Sequence, residues 1–300
     1  MLFYFFAVAN LFNIDLNDNI IKHFKDAPGK ENFNQIDGID FIYVINLDKR
    51  PEKWANTLFQ FKKYNLKPYR FSAVNGWELS LEAVNDLGLV YRPGMTPLMA
   101  TSFVEVEKKI LQNPQFMSCY DRSYFGFGTF LGHIGCTYSH LSVLYDAYES
   151  GFQTVWICED DVILQEDPHQ LPFLLKELDS IVGHSEWDLL FTDPDMYVKT
   201  SGIPKRPNLD CSAVYRYSKK FTDNSLIHPH FKRVPSRYGT YSMIIRRSGM
   251  VKILDYFVKE KMFWGIDVEL GMVPNLKKFG LTFDLSCQPQ DSLTNLLIEG

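Results

Sequence analysis

One apolar run of the chain points directly to a buried parallel sheet. Residues 41–47 read Phe-Ile-Tyr-Val-Ile-Asn-Leu, with almost no polar interruption. Strands buried on both faces have this composition, and they occur in parallel sheets that helices cover. Pro51 then suits the first turn of a helix, and Trp54, Leu58 and Phe61 recur at the spacing of a buried helical stripe. A strand followed by a covering helix is therefore expected.

The next segment completes a βαβ unit. Residues 68–73 read Pro-Tyr-Arg-Phe-Ser-Ala and predict a second strand parallel to the first. Open α/β sheets bind their ligands beyond the carboxyl ends of the strands. Ligand contacts are therefore expected near Asn46 and Leu47 and along residues 73–76.

Three consecutive carboxylates follow another predicted strand. Residues 154–158 run into Glu159, Asp160 and Asp161, and an apolar segment resumes at once. Two like charges about 4 Å apart repel by roughly 4 kcal/mol at an effective dielectric of 20. A hard divalent cation such as Mg²⁺ or Mn²⁺ would relieve that repulsion. A solvated acidic turn is the alternative interpretation.

A predicted helix leads into this acidic strand. Residues 132–140 are expected to open it, and Gly151 is a natural C-terminal stop. Its apolar positions include Leu141, Leu144, Tyr145 and Tyr148. Ser139 and His140 are expected near the start of the helix, where backbone N–H groups favour anions. A purely structural hydrogen-bonding role for His140 is the alternative.

The second half of the chain continues the alternation. A helix is expected at 171–181, strands at 187–192 and 238–245, a helix from residue 248, and a last strand from residue 281. Between them, segment 199–237 carries nine basic residues against two acidic ones. This composition predicts a long mobile loop beside an anionic ligand, with a solvated basic surface as the alternative.

One isolated carboxylate is a candidate catalytic group. Asp267 lies among apolar neighbours in segment 264–270. Burial there would raise its pKa toward that of a working base. A helix N-cap is the alternative role.

Segment 77–130 is less regular. Residues 81–89 and 103–111 are interpreted as short helices between loops rich in Pro and Gly. Gly126, Gly128 and Gly132 depart from the GxGxxG spacing of dinucleotide-binding turns, so such a turn is not expected.

Composition limits the class of protein. The net charge of −5 over 300 residues argues against a nucleic-acid partner. The five cysteines are scattered without zinc-ligand spacing, which indicates reduced thiols. Residues 1–12 are almost all apolar and too few to span a bilayer. They are interpreted as a packed element, with a surface-membrane anchor as the alternative, and residues 13–40 as a connecting extension.

The order of these segments resembles glycosyltransferase family 25. The matching positions are 44–47 with Arg50, 73–76, Gly135-Cys136 with Ser139-His140, 159–162, 239–241 with 247–249, and Asp267. The resemblance implies a GT-A type α/β fold, with a Rossmann-like mixed sheet flanked by helices. The glycosyltransferase domain would cover residues 41–300 after an N-terminal extension at 1–40. Segment 77–130 would be an insertion in that domain, and segment 199–237 its mobile basic loop.

The resemblance also implies a site. Asp161 would be the first metal ligand, with Asp160 near the metal or the ribose and Glu159 in support, and the cofactor would be Mn²⁺ or Mg²⁺. The positions expected to border the nucleoside are Asn46, Leu47, Arg50, Ala73, Val74, Asn75 and Gly76. Ser139 and His140 would lie on the sugar-diphosphate side.

The implied reaction is an inverting hexosyl transfer. The donor would be a UDP-sugar carrying galactose or glucose, and the acceptor a glycan or a lipid-linked saccharide. Asp267 is the candidate base, with Asp195 or Asp193 in reserve. A catalytically inactive nucleotide-sugar-binding module is one alternative, and a metal-dependent nucleotidyltransferase or phosphohydrolase is another. The expected location is the cytoplasm, at the inner membrane face through a peripheral association.

Overall fold

A large mixed β-sheet forms the centre of the molecule. The structure, a computed structural model, describes residues 34–194, 206–208 and 223–288. Eight strands form the sheet in the order β10-β11-β13-β9-β12-β7-β1-β2. These strands are β1 (Phe41–Asn46), β2 (Tyr69–Ser72), β7 (Thr154–Glu159), β9 (Leu189–Phe191), β10 (Leu226–His228), β11 (Phe231–Arg233), β12 (Ser242–Arg246) and β13 (Lys278–Leu281).

Helices cover both faces of this sheet. They are α1 (Pro51–Lys63), α2 (Leu81–Leu87), α3 (Leu131–Glu149), α4 (Leu171–Val182), α5 (Arg247–Glu260) and the short α6 (Ile266–Glu269). Side chains alternate along each strand, so Tyr43 packs into a core with α3 and α5 while Val44 packs into another with α1 and α4. The predicted α/β class, a Rossmann-like mixed sheet between helices, is confirmed.

The first βαβ unit has the predicted arrangement. Strand β1 pairs in parallel with both β2 and β7. Helix α1 begins with Pro51 and ends before Asn65, whose φ of 55° stops it. The carboxyl ends of β1, β2 and β7 therefore meet at one edge of the sheet, and this edge carries Glu159.

Segment 77–130 contains a second, smaller sheet. Its strands β3 (Leu89–Val90), β6 (Ser123–Gly126), β4 (Met99–Val106) and β5 (Lys109–Phe116) are ordered β3-β6-β4-β5. The helix expected at 103–111 is wrong, because this stretch is the tip of the β4–β5 hairpin. Glu107 and Lys108, with φ of 51° and 63°, form a two-residue turn of the type that connects antiparallel strands.

Helix α3 starts within one residue of its predicted start, but two predicted site residues lie further along it than expected. It starts at Leu131, so Ser139 and His140 lie in its middle, and their placement near the helix start is wrong. Backbone N–H groups in mid-helix are used by the helix's own hydrogen bonds and offer no anion site. Gly151, with φ of 81°, lies just past the helix end, as predicted.

The remaining elements agree with the expected alternation at shifted boundaries. Helices α4 and α5 match the two helices predicted after the acidic triplet, and β9 and β12 match the strands expected at 187–192 and 238–245. The last strand was expected from residue 281, but β13 spans Lys278–Leu281 and so ends where that strand was expected to begin. A two-stranded sheet of β8 (Ile163–Leu164) and β14 (Ser286–Cys287) lies beyond them. None of the described helices has the length and apolar character needed to cross a membrane.

Several expectations lie partly or wholly outside the described residues. They concern the apolar segment 1–12, Asp195, and most of the basic segment 199–237. Where segment 199–237 is described, Arg206 and Arg237 are 1% and 2% exposed. At these two positions a solvated basic surface is wrong, because each guanidinium is paired inside the protein with a carboxylate.

Candidate functional site

The acidic triplet lies where β7 ends and the chain turns. Glu159 is the last residue of the strand, and its backbone N–H donates to the carbonyl of Tyr241 at 2.8 Å. The turn closes when the N–H of Val162 donates to the carbonyl of Glu159 at 3.2 Å. Val162 is buried and anchors the turn in the core. The three carboxylates are therefore held on a rigid strand end and contact three different parts of the molecule.

Glu159 is bound on the side of helix α3. Its Oε1 lies 3.0 Å from Nε2 of His140 and accepts a hydrogen bond from Thr240 Oγ1 at 2.8 Å. Burial acts to raise the pKa of Glu159, but the hydrogen bonds from His140 and Thr240, together with the charge of nearby Lys53, lower it on balance. Glu159 is therefore an ionised carboxylate.

Asp160 is directed to the opposite side, toward α1. Its Oδ2 accepts a hydrogen bond from Asn46 Nδ2 at 2.6 Å, and its Oδ1 lies 3.9 Å from Lys53 Nζ. Its backbone carbonyl accepts from Thr57 Oγ1 at 2.7 Å. Burial raises the pKa of Asp160. These contacts fix Asp160 between the end of β1 and the start of α1.

Asp161 has the least satisfied carboxylate of the three. Its Oδ2 accepts from Gln288 Nε2 at 2.7 Å, whereas its Oδ1 is buried without a hydrogen-bond partner in the described part of the chain. Burial, followed by the negative charge of Glu159, raises the pKa of Asp161 to about 6. A buried carboxylate oxygen without a donor, beside a second ionised carboxylate, fits a hard divalent cation.

A second set of donor atoms shares Glu159 with the acidic triplet. Cys136, His140 and Glu159 each offer one ligand atom within 4.8 Å of the others. Burial, and then the charges of Glu159 and Asp267, raise the pKa of the Cys136 thiol well above its usual value. The neutral thiol is a poor ligand, so the oxygens of the triplet are the better donor set for a cation.

The predicted nucleoside positions surround the ends of β1 and β2. Asn46 is buried, donates to Asp160 and to the carbonyl of Arg50, and accepts from Arg70 Nε at 2.7 Å. Its amide is therefore saturated by protein groups. Asn46 connects the acidic turn to the loop at Leu47–Arg50, and its direct contact with a nucleoside stays a prediction.

The loop at residues 73–76 is packed directly against helix α3. A Cβ on Gly135 would lie 2.6 Å from both Gly76 N and Val74 O, so only glycine permits this approach. Ser139 Oγ accepts from Val74 N at 2.8 Å and donates to Gly135 O at 2.7 Å. In the structure, Ser139 therefore holds this loop in place, while its predicted role on the sugar-diphosphate side is untested.

Asp267 lies in the first turn of α6. Its Oδ2 accepts from Gly239 N at 3.0 Å, and its Oδ1 accepts from Val268 N at 2.8 Å. The N-cap position belongs to Gly265, so the alternative N-cap role is wrong. Burial raises the pKa of Asp267, as the sequence predicted, although its two backbone hydrogen bonds oppose the shift.

The reserve carboxylate Asp193 is committed to a buried ion pair. Arg237 donates to Asp193 through both terminal nitrogens, at 3.0 and 2.9 Å. Both side chains are 2% exposed. Asp193 is thus less suited than Asp267 to accept a proton from a ligand.

Two residues of the site were not predicted from the sequence. Lys53 lies in the first turn of α1; its charge contributes to the lowered pKa of Glu159 and opposes the rise that burial causes in the pKa values of Asp160 and Asp161. Its position two residues after Pro51, close to the carboxyl end of β1, could have indicated that Lys53 lies near the site. Gln288 reaches Asp161 from a position 127 residues further along the chain, and no local pattern marks it.

Fold and site together define a class of protein. The mixed sheet flanked by helices, with carboxylates at the ends of its parallel strands, is a Rossmann-like glycosyltransferase fold. Residues 39–268 match the family described as glycosyltransferase family 25 (LPS biosynthesis protein). The chain belongs to glycosyltransferase family 25.

Individual relatives are distant. A glycosyltransferase 25 family member of Drosophila melanogaster is 24% identical over 233 residues, which is 78% of this chain and 30% of that protein. Another, of Drosophila pseudoobscura pseudoobscura, is 26% identical over 153 residues, or 51% of this chain and 20% of that protein. The inactive glycosyltransferase 25 family member 3 of Homo sapiens is 24% identical over 173 residues, or 56% of this chain and 24% of that protein. The chain thus spans less than a third of each of these relatives.

Proposed function

We propose that the protein is a metal-dependent, inverting hexosyltransferase. It transfers galactose or glucose from a UDP-sugar to a glycan or to a lipid-linked saccharide at the cytoplasmic face of a membrane. Membership of a glycosyltransferase family supports a sugar donor and a glycan acceptor in general. The observation that carries the metal dependence is the buried Oδ1 of Asp161, which has no partner among the described residues and lies beside ionised Glu159.

The acidic triplet would hold Mn²⁺ or Mg²⁺. Asp161 is the principal ligand, and Glu159 and Asp160 contribute the surrounding negative charge. Such an ion supplies Lewis-acid stabilisation of the departing diphosphate, worth several kcal/mol. The protein's own contribution is to hold three carboxylates at one strand end in a fixed arrangement.

The donor nucleoside would lie along the ends of β1 and β2. Leu47, Arg50 and residues 73–76 border this edge of the sheet. The loop at 73–76 is held by the close approach of Gly135 and by the hydroxyl of Ser139. A preformed loop costs less conformational entropy when a ligand binds, which favours affinity.

Asp267 would accept the proton of the acceptor hydroxyl. An inverting transfer needs a base on the acceptor side, and general-base catalysis typically contributes a 10²–10⁴-fold rate effect. Burial raises the pKa of Asp267 toward the range in which a carboxylate accepts a proton effectively. Two backbone N–H groups fix the orientation of its carboxylate.

A second candidate is a nucleotide-sugar-binding module without turnover. It is favoured by the similarity to the human protein named inactive glycosyltransferase 25 family member 3. The two candidates share the donor site and differ only in whether the hexose leaves UDP.

The distinguishing experiment is a donor panel. Purified protein is incubated with UDP-galactose, UDP-glucose and UDP-N-acetylhexosamines in Mn²⁺, and released UDP is measured with and without simple glycoside acceptors. Binding of UDP is measured in parallel by calorimetry.

We expect UDP release from a UDP-hexose that an acceptor accelerates, together with a product of inverted anomeric configuration by NMR. UDP binding with no release from any donor would support the inactive module. A product of retained configuration would contradict the inverting mechanism.

A further inference from the structure

A second group of metal-ligating side chains lies away from the acidic triplet. Glu177 of α4 meets His228 and His230 of the β10–β11 hairpin, and one ligand atom from each lies within 4.8 Å of the other two. Nδ1 of His230 lies 2.6 Å from Glu177 Oε2, and Nδ1 of His228 lies 3.9 Å from the same oxygen. Two imidazoles thus face one carboxylate oxygen.

Only one of these two imidazoles is hydrogen-bonded to Glu177. His230 is close enough to bond to Glu177, whereas 3.9 Å is too long for a hydrogen bond from His228. His228 Nδ1 instead accepts a long contact of 3.4 Å from the backbone N–H of His230. A single cation between the three side chains could bind one ligand atom from each of them.

The hairpin that carries the histidines is fixed by contacts with Thr282 and with strand β13. Thr282 donates through its backbone N–H to His230 O at 3.0 Å and through Oγ1 to Pro229 O at 2.5 Å. Pro229 restricts its own backbone in the turn. The fully buried Phe231 pairs with β13 and anchors the strand that leaves the turn.

Aromatic contacts orient the two rings. The His228 ring lies 6.1 Å from that of Phe231, and the His230 ring lies 6.1 Å from that of Phe283. Ligands that are positioned before the metal arrives bind it more tightly, because less side-chain freedom is lost. The three side chains remain partly exposed, at 18%, 32% and 41%, so a solvent molecule can reach a fourth position.

This cluster is separate from the acidic triplet. In the central sheet, β10 is the edge strand and β7 lies five strands away. At about 4.8 Å per strand, β10 and β7 are roughly 24 Å apart across the sheet. Their donor atoms also differ. The acidic triplet offers carboxylate oxygens, whereas this cluster offers two imidazole nitrogens and one carboxylate oxygen.

We propose that Glu177, His228 and His230 form a second metal site that takes a borderline transition ion of the Zn²⁺ class. Two imidazoles and one carboxylate with an open fourth position suit tetrahedral Zn²⁺, and they suit Mn²⁺ or Mg²⁺ poorly. The bound ion fastens the β10–β11 hairpin to α4 at the edge of the sheet. The site stabilises the fold and is independent of the sugar-transfer chemistry.

The test measures Zn²⁺ binding to the full, metal-free chain by competition with a chromophoric chelator. The variants are Glu177→Gln, His228→Gln with His230→Gln, and His184→Gln as the matched control. His184 is likewise bonded to a carboxylate of α4, with Nδ1 2.9 Å from Asp179 Oδ2, but it belongs to no group of three metal-ligating side chains among the described residues. Asp161→Asn is included to separate this site from the acidic triplet.

We expect wild type, His184→Gln and Asp161→Asn to share one tight Zn²⁺ equivalent. Glu177→Gln should weaken that equivalent by at least about tenfold, since loss of even a second-shell partner costs metal sites 10–100-fold. The double histidine variant should lose it. An unchanged number and affinity of Zn²⁺ equivalents in the double variant, or no tight Zn²⁺ binding in wild type, would overturn the proposal.

A second readout does not depend on the variants being well folded. In the wild-type protein, Zn²⁺ should shift the imidazole proton signals of two histidines and raise the midpoint of thermal unfolding. If Zn²⁺ leaves both the imidazole signals and the unfolding midpoint unchanged, no ion binds at this cluster.

Discussion

The imidazole of His140 and the carboxylate of Glu159 join the middle of helix α3 to the end of strand β7. Nε2 of His140 and Oε1 of Glu159 lie 3.0 Å apart. His140 is 1% exposed, and its Nδ1 is buried without a partner in the described part of the chain. Because the pKa of Glu159 is lowered and its carboxylate is ionised, Nε2 must be the donor. His140 therefore orients Glu159 and stabilises its negative charge.

Replacing His140 by Leu should weaken Mn²⁺ binding in the presence of UDP. Without its hydrogen bond, Glu159 loses both orientation and part of the interaction that keeps it ionised, and second-shell losses of this kind cost roughly 10–100-fold in metal affinity. The measurement is the Mn²⁺ concentration dependence of UDP binding by calorimetry. His169→Leu is the control, since His169 pairs with Asp167 at an exposed position. Equal Mn²⁺ affinity in the two variants would mean that His140 is only a packing residue.

The Asp267→Asn substitution should lower kcat by about 10²–10⁴-fold with UDP binding retained. The amide keeps the size of the side chain but cannot accept the acceptor's proton. Asp255→Asn, a change at an exposed carboxylate of α5 paired with Lys259, should leave kcat unchanged. Turnover of Asp267→Asn within a few-fold of wild type would assign the base elsewhere.

The pH profile of kcat gives a separate test of Asp267. Its carboxylate must be deprotonated to act as a base, and burial raises its pKa above the usual value for aspartate. We therefore expect kcat to fall as the pH decreases through that raised pKa. This acid-side fall should disappear in the residual activity of Asp267→Asn. An identical acid limb in wild type and variant would contradict the role.

Gly135→Ala should destabilise the protein. The added Cβ would lie 2.6 Å from two backbone atoms of the loop at 73–76, and neither atom can move without shifting that loop. Overpacking of this kind costs typically about 1–3 kcal/mol in the free energy of unfolding. Urea unfolding measures it.

A control on the same helix should change stability in the opposite sense. Ser142 is buried, and its hydroxyl has no hydrogen-bond partner among the described residues. Ser142→Ala removes that hydroxyl, so it should be neutral or stabilising. A Gly135→Ala protein as stable as Ser142→Ala would show that the helix and the loop are not in close backbone contact.

The buried pair of Arg206 and Glu269 should be essential for folding stability. Arg206 Nε lies 3.3 Å from Glu269 Oε1, both side chains are fully buried, and the carboxylate also accepts from Phe263 N at 2.7 Å. Arg206→Met leaves the Glu269 charge without its counter-ion, which costs roughly 3–5 kcal/mol. Lys259→Met, an exposed change on α5, should cost far less. Comparable unfolding free energies for the two variants would contradict the pairing.

Patterns that depend on local burial could be predicted from sequence. The uninterrupted apolar run of β1 indicated a strand buried on both faces, and its parallel partners followed from the helix in between. The β4–β5 hairpin could not be separated from a helix, because its alternation is weak and Glu107-Lys108 is not a typical turn pair. The segment is a strand because β4 pairs with β6 in the folded protein, and no local sequence pattern encodes that pairing.

The site was predictable where its residues are consecutive. The triplet 159–161 and the loop at 73–76 follow strands, so their meeting at one edge of the sheet was a consequence of parallel pairing. His140 was expected near the start of α3, but it lies in the middle of that helix, where its contact with Glu159 of β7 depends on tertiary packing. Gln288 is distant in the chain from the carboxylate that it binds, so only the folded structure shows it.

A catalytic metal at Asp161 is tested by Mn²⁺-dependent release of UDP from a UDP-hexose, compared among wild type, Asp161→Asn and Asp167→Asn. Asp167 is an exposed capping residue, so its variant is the matched control. We predict that wild type and Asp167→Asn turn over in Mn²⁺ and lose activity in EDTA, and that Asp161→Asn is inactive in both although it folds. Turnover by Asp161→Asn, or by wild type in EDTA, at the wild-type Mn²⁺ rate would contradict the proposal that Asp161 holds a catalytic metal.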